Sequence, residues 1–223
     1  MIAGRPMVEH VYRRASEATR VNAVVVATDD ARVADVVTSF GGTAVMTRSD
    51  HATGTDRLAE VAQALEGEII LNVQGDEPLM TPRAIDDVAG LLLSRPNDLM
   101  ATLRRRVEDL ADLDNPSVVK LVADREGYAL YFTRSRIPFV RPDHPAPVFW
   151  RHLGLYAYRR PFLATLAGLL PTPLEQAEGL EQLRALEHGY RISTAETSAD
   201  TIGVDTPEDL ERVRRLVAAG AST

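Results

Sequence analysis

Apolar, β-branched runs alternate with capped amphipathic segments from the N-terminus to Asp98, and this alternation constrains the fold more than any other feature of the chain. Val8 to Ala18 has the spacing of an amphipathic helix. Val21-Asn22-Ala23-Val24-Val25-Val26-Ala27 is a continuous run that predicts a strand buried on both faces. Thr28-Asp29-Asp30 ends that strand and caps a helix running through Phe40, and Gly41-Gly42 stops the helix. A short strand over Thr43 to Met46 comes next. Thr53-Gly54-Thr55 then opens a helix from about Asp56 to Leu65. Glu68-Ile69-Ile70-Leu71-Asn72-Val73 reads as another buried strand, and Thr81-Pro82 starts a helix with threonine as N-cap and proline at the first position. Strand and helix in this order predict right-handed βαβ units, a parallel sheet and an α/β fold.

The pattern changes after Asp98. Leu99 to Val107, Val118 to Val122, Ala129 to Thr133 and Phe149 to Tyr158 are strand-like. Ile137 to Val148 contains Pro138, Pro142, Pro145 and Pro147 and predicts an extended excursion. Helices are expected over Pro161 to Leu170 and Leu174 to His188, a last strand over Tyr190 to Ala195, and a terminal helix from Thr206-Pro207. Residues Ala219 to Thr223 are expected to fray.

With 223 residues, 45% of them hydrophobic, one domain spanning 1–223 can bury a full core. The net charge of −7 argues against a nucleic-acid partner, and Arg104-Arg105-Arg106 reads as a solvated strand end. The absence of cysteine excludes disulfides, thiolate metal sites and a cysteine nucleophile. No stretch has the length and apolarity of a membrane span or a signal core, so a soluble, cytoplasmic protein is expected.

Four groupings can carry chemistry. Gln74-Gly75-Asp76-Glu77-Pro78 puts an acid pair at the C-terminal end of a buried strand, where open α/β sheets bind ligands. Asp205 closes a second short apolar approach, Ile202-Gly203-Val204. At neighbouring strand ends, Asp76 and Asp205 can share one Mg²⁺ with phosphate oxygens. Each also reads as an ordinary acid, Asp76 in a solvated turn and Asp205 at a helix start. On the helix predicted over Leu174 to His188, Glu178, Glu181 and Gln182 share one face, suited to a polyhydroxylated ligand or simply to water. In Arg151-His152-Leu153-Gly154-Leu155-Tyr156-Ala157-Tyr158, alternation sets His152, Gly154, Tyr156 and Tyr158 on one side, lining a pocket or satisfied in the core. Arg48-Ser49-Asp50-His51 and Thr53-Gly54-Thr55-Asp56-Arg57 surround a helix start that can meet an anion or a base edge, or serve as a plain cap. No histidine pair has metal spacing and no serine has a nucleophile-elbow context.

Taken in order, several stretches resemble the 3-deoxy-manno-octulosonate (Kdo) cytidylyltransferase, or CMP-Kdo synthetase, family. They are Gly4-Arg5-Pro6-Met7, Val25-Val26-Ala27-Thr28-Asp29, Met46-Thr47-Arg48 with Thr53 to Glu60, Asn72 to Pro78, Asn115-Pro116 with Val119-Lys120, Tyr128 to Phe132 with Ile137-Pro138, Arg151-His152-Leu153-Gly154, Leu180-Glu181-Gln182-Leu183-Arg184 and Gly203-Val204-Asp205-Thr206-Pro207. The resemblance implies a Rossmann-like nucleotidyltransferase (GT-A-like) fold, a mostly parallel sheet with a smaller β-rich dimerisation and sugar-acid region within 99–160. It implies transfer of CMP from CTP to Kdo with release of pyrophosphate, dependent on Mg²⁺, for lipopolysaccharide biosynthesis by a homodimer. Carried over, Asp76 and Asp205 are catalytic metal ligands; Arg5, Arg57 and Gln74 face the nucleotide; and His152, Tyr156, Glu181, Gln182 and Arg141 face the sugar acid. Lys120, Arg134 and Arg136 are further basic residues expected near the substrates.

The chain departs from the family pattern at its start. The family opens with an apolar strand and a loop bearing Arg, Ser and Leu-Pro-Gly-Lys that wraps the triphosphate, whereas Met1-Ile2-Ala3-Gly4-Arg5-Pro6-Met7 aligns with the segment entering the first helix. Unpaired edges on parallel strands and a weakened triphosphate site are the expected consequences. A cytidylyltransferase for another sugar acid, a homologue that binds without turnover, and a glycosyltransferase using Asp76-Glu77 are the other readings.

Overall fold

The computed structural model of the chain describes residues 1–51 and 53–220. Its N-terminal half follows the expected alternation: α1 (Met7–Glu17), β1 (Val26–Thr28), α2 (Ala31–Ser39), β2 (Ala44–Met46), α3 (Gly54–Ala62), β3 (Ile69–Asn72) and α4 (Pro82–Ser94). The caps are those the sequence predicts. Asp30 accepts from the Arg32 N–H, Thr53 and Asp56 form a capping box, and Thr81 accepts from the Ala84 N–H with Pro82 behind it. Such caps satisfy donors that the first turn leaves without partners.

β4 (Met100–Arg106), β5 (Lys120–Ala123), β6 (Ala129–Thr133) and β7 (Trp150–Arg159) follow, then α5 (Arg160–Ala167), α6 (Pro173–Glu178), α7 (Gln182–Glu187), β8 (Ser193–Glu196) and α8 (Pro207–Ala218). Residues 137–148 form no helix or strand and lie mostly exposed, as their prolines predict. Of the segment expected to fray, residues 221–223 lie outside the described residues.

The larger sheet is mixed. Its strands run in the order β6-β5-β7-β4-β8, with β3 also paired to β7. β1 pairs β2 and β4 pairs β8 in parallel, but β3, β4 and β5 all meet β7 antiparallel. The parallel expectation therefore holds for strand direction, since β3, β4, β5 and β8 run the same way; the reversed β7 is what joins them. β1 is shorter than the run 21–27 because its ladder partner β2 offers only three residues, and β1 is only partly buried. Val21 and Val24 pack on the core without joining a ladder.

Core covers both faces of this sheet. On one face, α4 buries Ala84, Ile85, Val88, Ala89 and Leu92, the spacing of one helical stripe, against Leu103, Leu153, Leu155 and Ala157. On the other, Tyr156 and Tyr158 join Ile70, Met100, Phe132, Phe162, Leu163 and Leu183. β7 alternates between the two clusters, which fixes its register: a one-residue slip would exchange every side chain between faces. Leu155 is fully buried, so Leu155→Ala is expected to cost about 2–5 kcal/mol, read from a denaturant midpoint.

The helix expected over Leu174 to His188 is broken. Gly179 adopts φ +61°, the Leu180 N–H returns to the Glu175 carbonyl at 3.1 Å, and α7 begins in a new direction. Glu178, Glu181 and Gln182 consequently do not share a helix face. Glu178 turns to β6, where it accepts from the Thr133 hydroxyl at 2.6 Å and the Arg134 N–H at 2.9 Å. Glu181 and Gln182 turn the other way.

Candidate active site

The cleft lies where β7 changes partners. Along one edge, β7 pairs β5 through Trp150 and Arg151 and then β3 through Tyr156 to Arg159. The C-terminal end of β3 and the N-terminal end of β5 thus face each other across a gap. On the opposite edge, the register with β4 skips between Thr102, opposite Tyr156, and Leu103, opposite Leu153, so Gly154 and Leu155 form a bulge. Strand ends that diverge in this way leave a crevice, and a cavity of ≈ 540 Å³ occupies it.

Gln74, Asp76, His152, Tyr156, Glu181 and Gln182 all line this cavity, together with Gly154 and Tyr158 from the same stripe of β7. Gly154 leaves room there: a Cβ at this position would stand 3.3 Å from Glu77 Oε1, so the Glu77 side chain would have to give by a few tenths of an ångström. Both open readings of the stripe hold at once. The side chains line the cleft and also pack on one another, with His152 centroids 5.1 Å from Phe132 and 5.3 Å from Tyr156, and Tyr156 stacked on Tyr158 at 5.9 Å. Burial lowers the His152 imidazole to about 3 and raises the Tyr156 and Tyr158 phenols. These groups are therefore neutral at ordinary pH and meet a ligand as hydrogen-bond partners.

The acids differ from them. Burial raises Asp76, and the charge of Asp205 adds to the rise. The Val204 N–H donates to the Asp76 carbonyl at 2.9 Å, which sets the Asp205 turn beside the Asp76 loop, although Asp205 itself is exposed and outside the lining. Glu77 is pushed up to about 7, chiefly by burial and then by Asp76, and its Oε2 is buried without a hydrogen-bond partner. Neither Asp76 nor Asp205 forms an ion pair among the described residues. These carboxylates repel one another, and the charge of Arg151 offsets this only in part at Glu77. The described residues bring no three metal-ligating side chains together, so a hard divalent ion on Asp76 and Asp205 would take its remaining ligands from water and substrate.

On the opposite wall, Glu181 Oε2 accepts from the Thr55 hydroxyl at 2.7 Å. Gln182 is buried, and its Nε2 amide has no acceptor. An orphaned buried donor on a cleft wall suits a ligand acceptor. Two cations line the cavity here: Arg184, which is paired with Glu175, and Arg134, whose guanidinium holds the carbonyls of Glu178 at 2.7 Å and Pro116 at 2.9 Å. Lys120 lies beneath, fully buried, donating to the carbonyls of Asn115 at 2.9 Å and of Arg134.

The remaining expected residues lie elsewhere. Arg57 donates to Thr47 Oγ1 at 2.5 Å and pairs with Asp29 at 3.1 Å, tying α3 to the ends of β1 and β2. Arg5 is exposed and pairs with Glu9 at 3.7 Å. Arg141 is exposed on the proline-rich excursion, and Arg136 pairs with Asp114 at 3.3 Å. Asn72 is a lining residue that the sequence reading gave no role, and Thr55, read there only as part of a helix start open to an anion or a base edge, lines the cavity as well. Asn72 was detectable as a polar residue ending an apolar strand. The hydrogen bond of Thr55 to Glu181 joins segments far apart in sequence and is seen only in the fold.

Among the described residues, no helix is long and apolar enough to cross a membrane. The sequence profile of the cytidylyltransferase family matches residues 1–192. The 3-deoxy-manno-octulosonate cytidylyltransferase of Geobacter sulfurreducens is 54% identical over 222 residues, covering 95% of this chain and 89% of that protein. The enzyme of that name from Solibacter usitatus is 51% identical over 218 residues, covering 98% of this chain and 86% of the relative. Among solved structures, a CMP:2-keto-3-deoxy-manno-octonic acid synthetase complexed with CTP superposes with a TM-score of 0.94 at 45% identity, over 99% of this chain and 90% of the other.

Proposed function

The chain belongs to the cytidylyltransferase family, among the 3-deoxy-manno-octulosonate cytidylyltransferases, and from that membership we propose that it transfers CMP from CTP to Kdo, releasing pyrophosphate. The supporting observation is the convergence of Gln74, Asp76, His152, Tyr156, Glu181 and Gln182 on one cleft at the end of β3. In this reading the anomeric hydroxyl of Kdo attacks the α-phosphorus of CTP, a new phosphorus–oxygen bond forms, and the bond to the β-phosphate's bridging oxygen breaks. Rate enhancement comes from alignment and from charge placed where the phosphates develop it.

Asp76 and Asp205 would hold Mg²⁺, which when bound neutralises phosphate charge. Gln74 is assigned to the nucleotide; Arg57 and Arg5, which the resemblance also implies for it, lie outside the cleft lining. His152, Tyr156, Glu181 and Gln182 are assigned to the sugar acid. For the cationic partner of its carboxylate we assign Arg134, which lines the cavity without a carboxylate partner among the described residues. It stands in place of Arg141, which is exposed and outside the lining, and of Arg184, which is paired with Glu175. We also assign the protein to the cytoplasm, supplying lipopolysaccharide biosynthesis. We further assign it a homodimer joined through 99–160, where Leu110, Leu130 and Phe139 are exposed. A monomer in sedimentation at micromolar concentration would contradict that dimer.

Substrate choice tests the reading. With CTP and Mg²⁺, pyrophosphate release is expected from Kdo in preference to its amino analogue or a sialic acid, and preference for either of those would reassign the cleft. Glu181→Ala should raise the KM for Kdo by about tenfold or more while leaving that for CTP nearly unchanged, the loss of a hydrogen bond to a charged group. Equal effects on both substrates would remove Glu181 from the sugar-acid side.

A further inference from the structure

The hydroxyl of Thr102 has one proton and three neighbours. It lies 3.0 Å from His152 Nε2, 2.8 Å from the Leu155 carbonyl oxygen and 3.1 Å from the Leu153 carbonyl oxygen. Carbonyl oxygens can only accept. If the hydroxyl proton went to the imidazole, the Thr102 oxygen would face two carbonyl oxygens and bond to neither, at a residue with no solvent exposure. If the proton goes to the carbonyls, the hydroxyl oxygen accepts from a proton on His152 Nε2, and all three contacts of the hydroxyl are hydrogen bonds.

The Leu155 carbonyl belongs to the β7 bulge, and Leu153 is the paired residue that precedes it. The Thr102 hydroxyl reaches the Leu155 carbonyl within the bulge, so the side chain that supports the bulge also sets the imidazole. Phe132 and Tyr156 hold the ring between them. Burial keeps the ring neutral, which leaves the second nitrogen, Nδ1, as a bare lone pair on a residue lining the cleft.

We propose that Thr102 is a positioning residue that fixes His152 as the Nε2–H tautomer, so that Nδ1 accepts a hydrogen bond from a ligand hydroxyl and cannot serve a ligand carboxylate. The tautomer follows from the protein alone. The identity of the hydroxyl, one on the sugar acid, rests on the reading of the cleft given above. The carboxylate must then be met elsewhere; the orphaned Gln182 amide and Arg134 are donors lining the same cavity, whereas Arg184, also in the lining, is paired with Glu175.

Nitrogen NMR of the full chain labelled with ¹⁵N-histidine reads the tautomer directly, with His152 assigned by its loss in His152→Gln. The expected spectrum shows Nε2 protonated and Nδ1 unprotonated, retained in Thr102→Ser. In Thr102→Val the spectrum should move toward the other tautomer, and the KM for Kdo should rise about tenfold with that for CTP unchanged. A protonated Nδ1 in the unaltered chain, or a Thr102→Val spectrum identical to it, would overturn the tautomer. If Thr102→Val does not fold, the unaltered chain and Thr102→Ser still decide that point. A shifted tautomer with an unmoved KM for Kdo would overturn the hydroxyl assignment. Absence of turnover with Kdo in the unaltered chain would instead overturn the reading of the cleft.

Discussion

Asp76→Asn is expected to lower turnover of CTP and Kdo by about a hundred- to a thousandfold, the scale found when one preorganised electrostatic group is removed from a transition state. The substitution keeps the side chain's shape and removes its charge. Asp76, Glu77 and Asp205 repel one another, and burial opposes the charged form of Asp76, so this loss of charge should leave thermal stability unchanged or slightly raised. Lower activity with equal or higher Tm is the signature of a group held for function at a cost to the fold. Asp205→Asn should behave alike in turnover, and both variants should need more Mg²⁺ to reach their residual rate. Full activity in either variant would remove that residue from the metal shell.

Arg184→Ala is expected to destabilise the protein by about 3–5 kcal/mol, the cost of leaving a buried charge without its partner. Arg184 and Glu175 form a bidentate pair with both side chains buried, Nε to Oε2 at 2.8 Å and Nη2 to Oε1 at 2.5 Å. Glu175 also accepts from the Thr172 N–H at 3.1 Å, so the pair binds α6 to α7 across the Gly179 turn. Burial, the largest single influence, would push the Glu175 carboxyl up, but the hydrogen bonds from Arg184 and Thr172 and the charge of Arg184 together outweigh it and hold the group below its ordinary 4.5. A carboxyl depressed in the folded state contributes stability that is present above its unfolded value and lost as pH falls through the folded one. The unaltered chain should therefore lose this contribution on acidification below about 4.5, and Glu175→Gln should show a flatter stability profile there. Urea midpoints across that range measure it, and parallel profiles for the two proteins would show that the pair is not the source.

The turn held by this pair was also where the sequence was hardest to read. Residues 174–188 have a helical pattern, and one glycine does not by itself announce a left-handed break. Gly179→Ala should cost about 1 kcal/mol in the denaturant midpoint because φ +61° strains a residue bearing a Cβ. The same break hid the separation of Glu178, which holds β6, from Glu181 and Gln182, which face the cleft. The caps at Asp30, Thr53, Thr81 and Thr206 were legible because each is a local hydrogen bond between neighbours in sequence. The reversed β7 was not, because strand direction is set by pairing between distant segments that periodicity does not report. The stripe from His152 to Tyr158 was legible for the opposite reason: alternation alone fixes which side of a strand a residue takes, and the even-numbered residues reach the cleft despite the bulge. The partners that tune them, Thr102 and Thr55, come from other elements, and only the fold brings them into contact.

The most direct test follows phosphorus NMR of CTP mixed with this chain, Mg²⁺ and Kdo. The account predicts that the three CTP resonances decline together, replaced by pyrophosphate and a single phosphodiester resonance from CMP-Kdo. No change should occur when Kdo is omitted. CTP left intact in the complete mixture, or consumed at the same rate without Kdo, would contradict it.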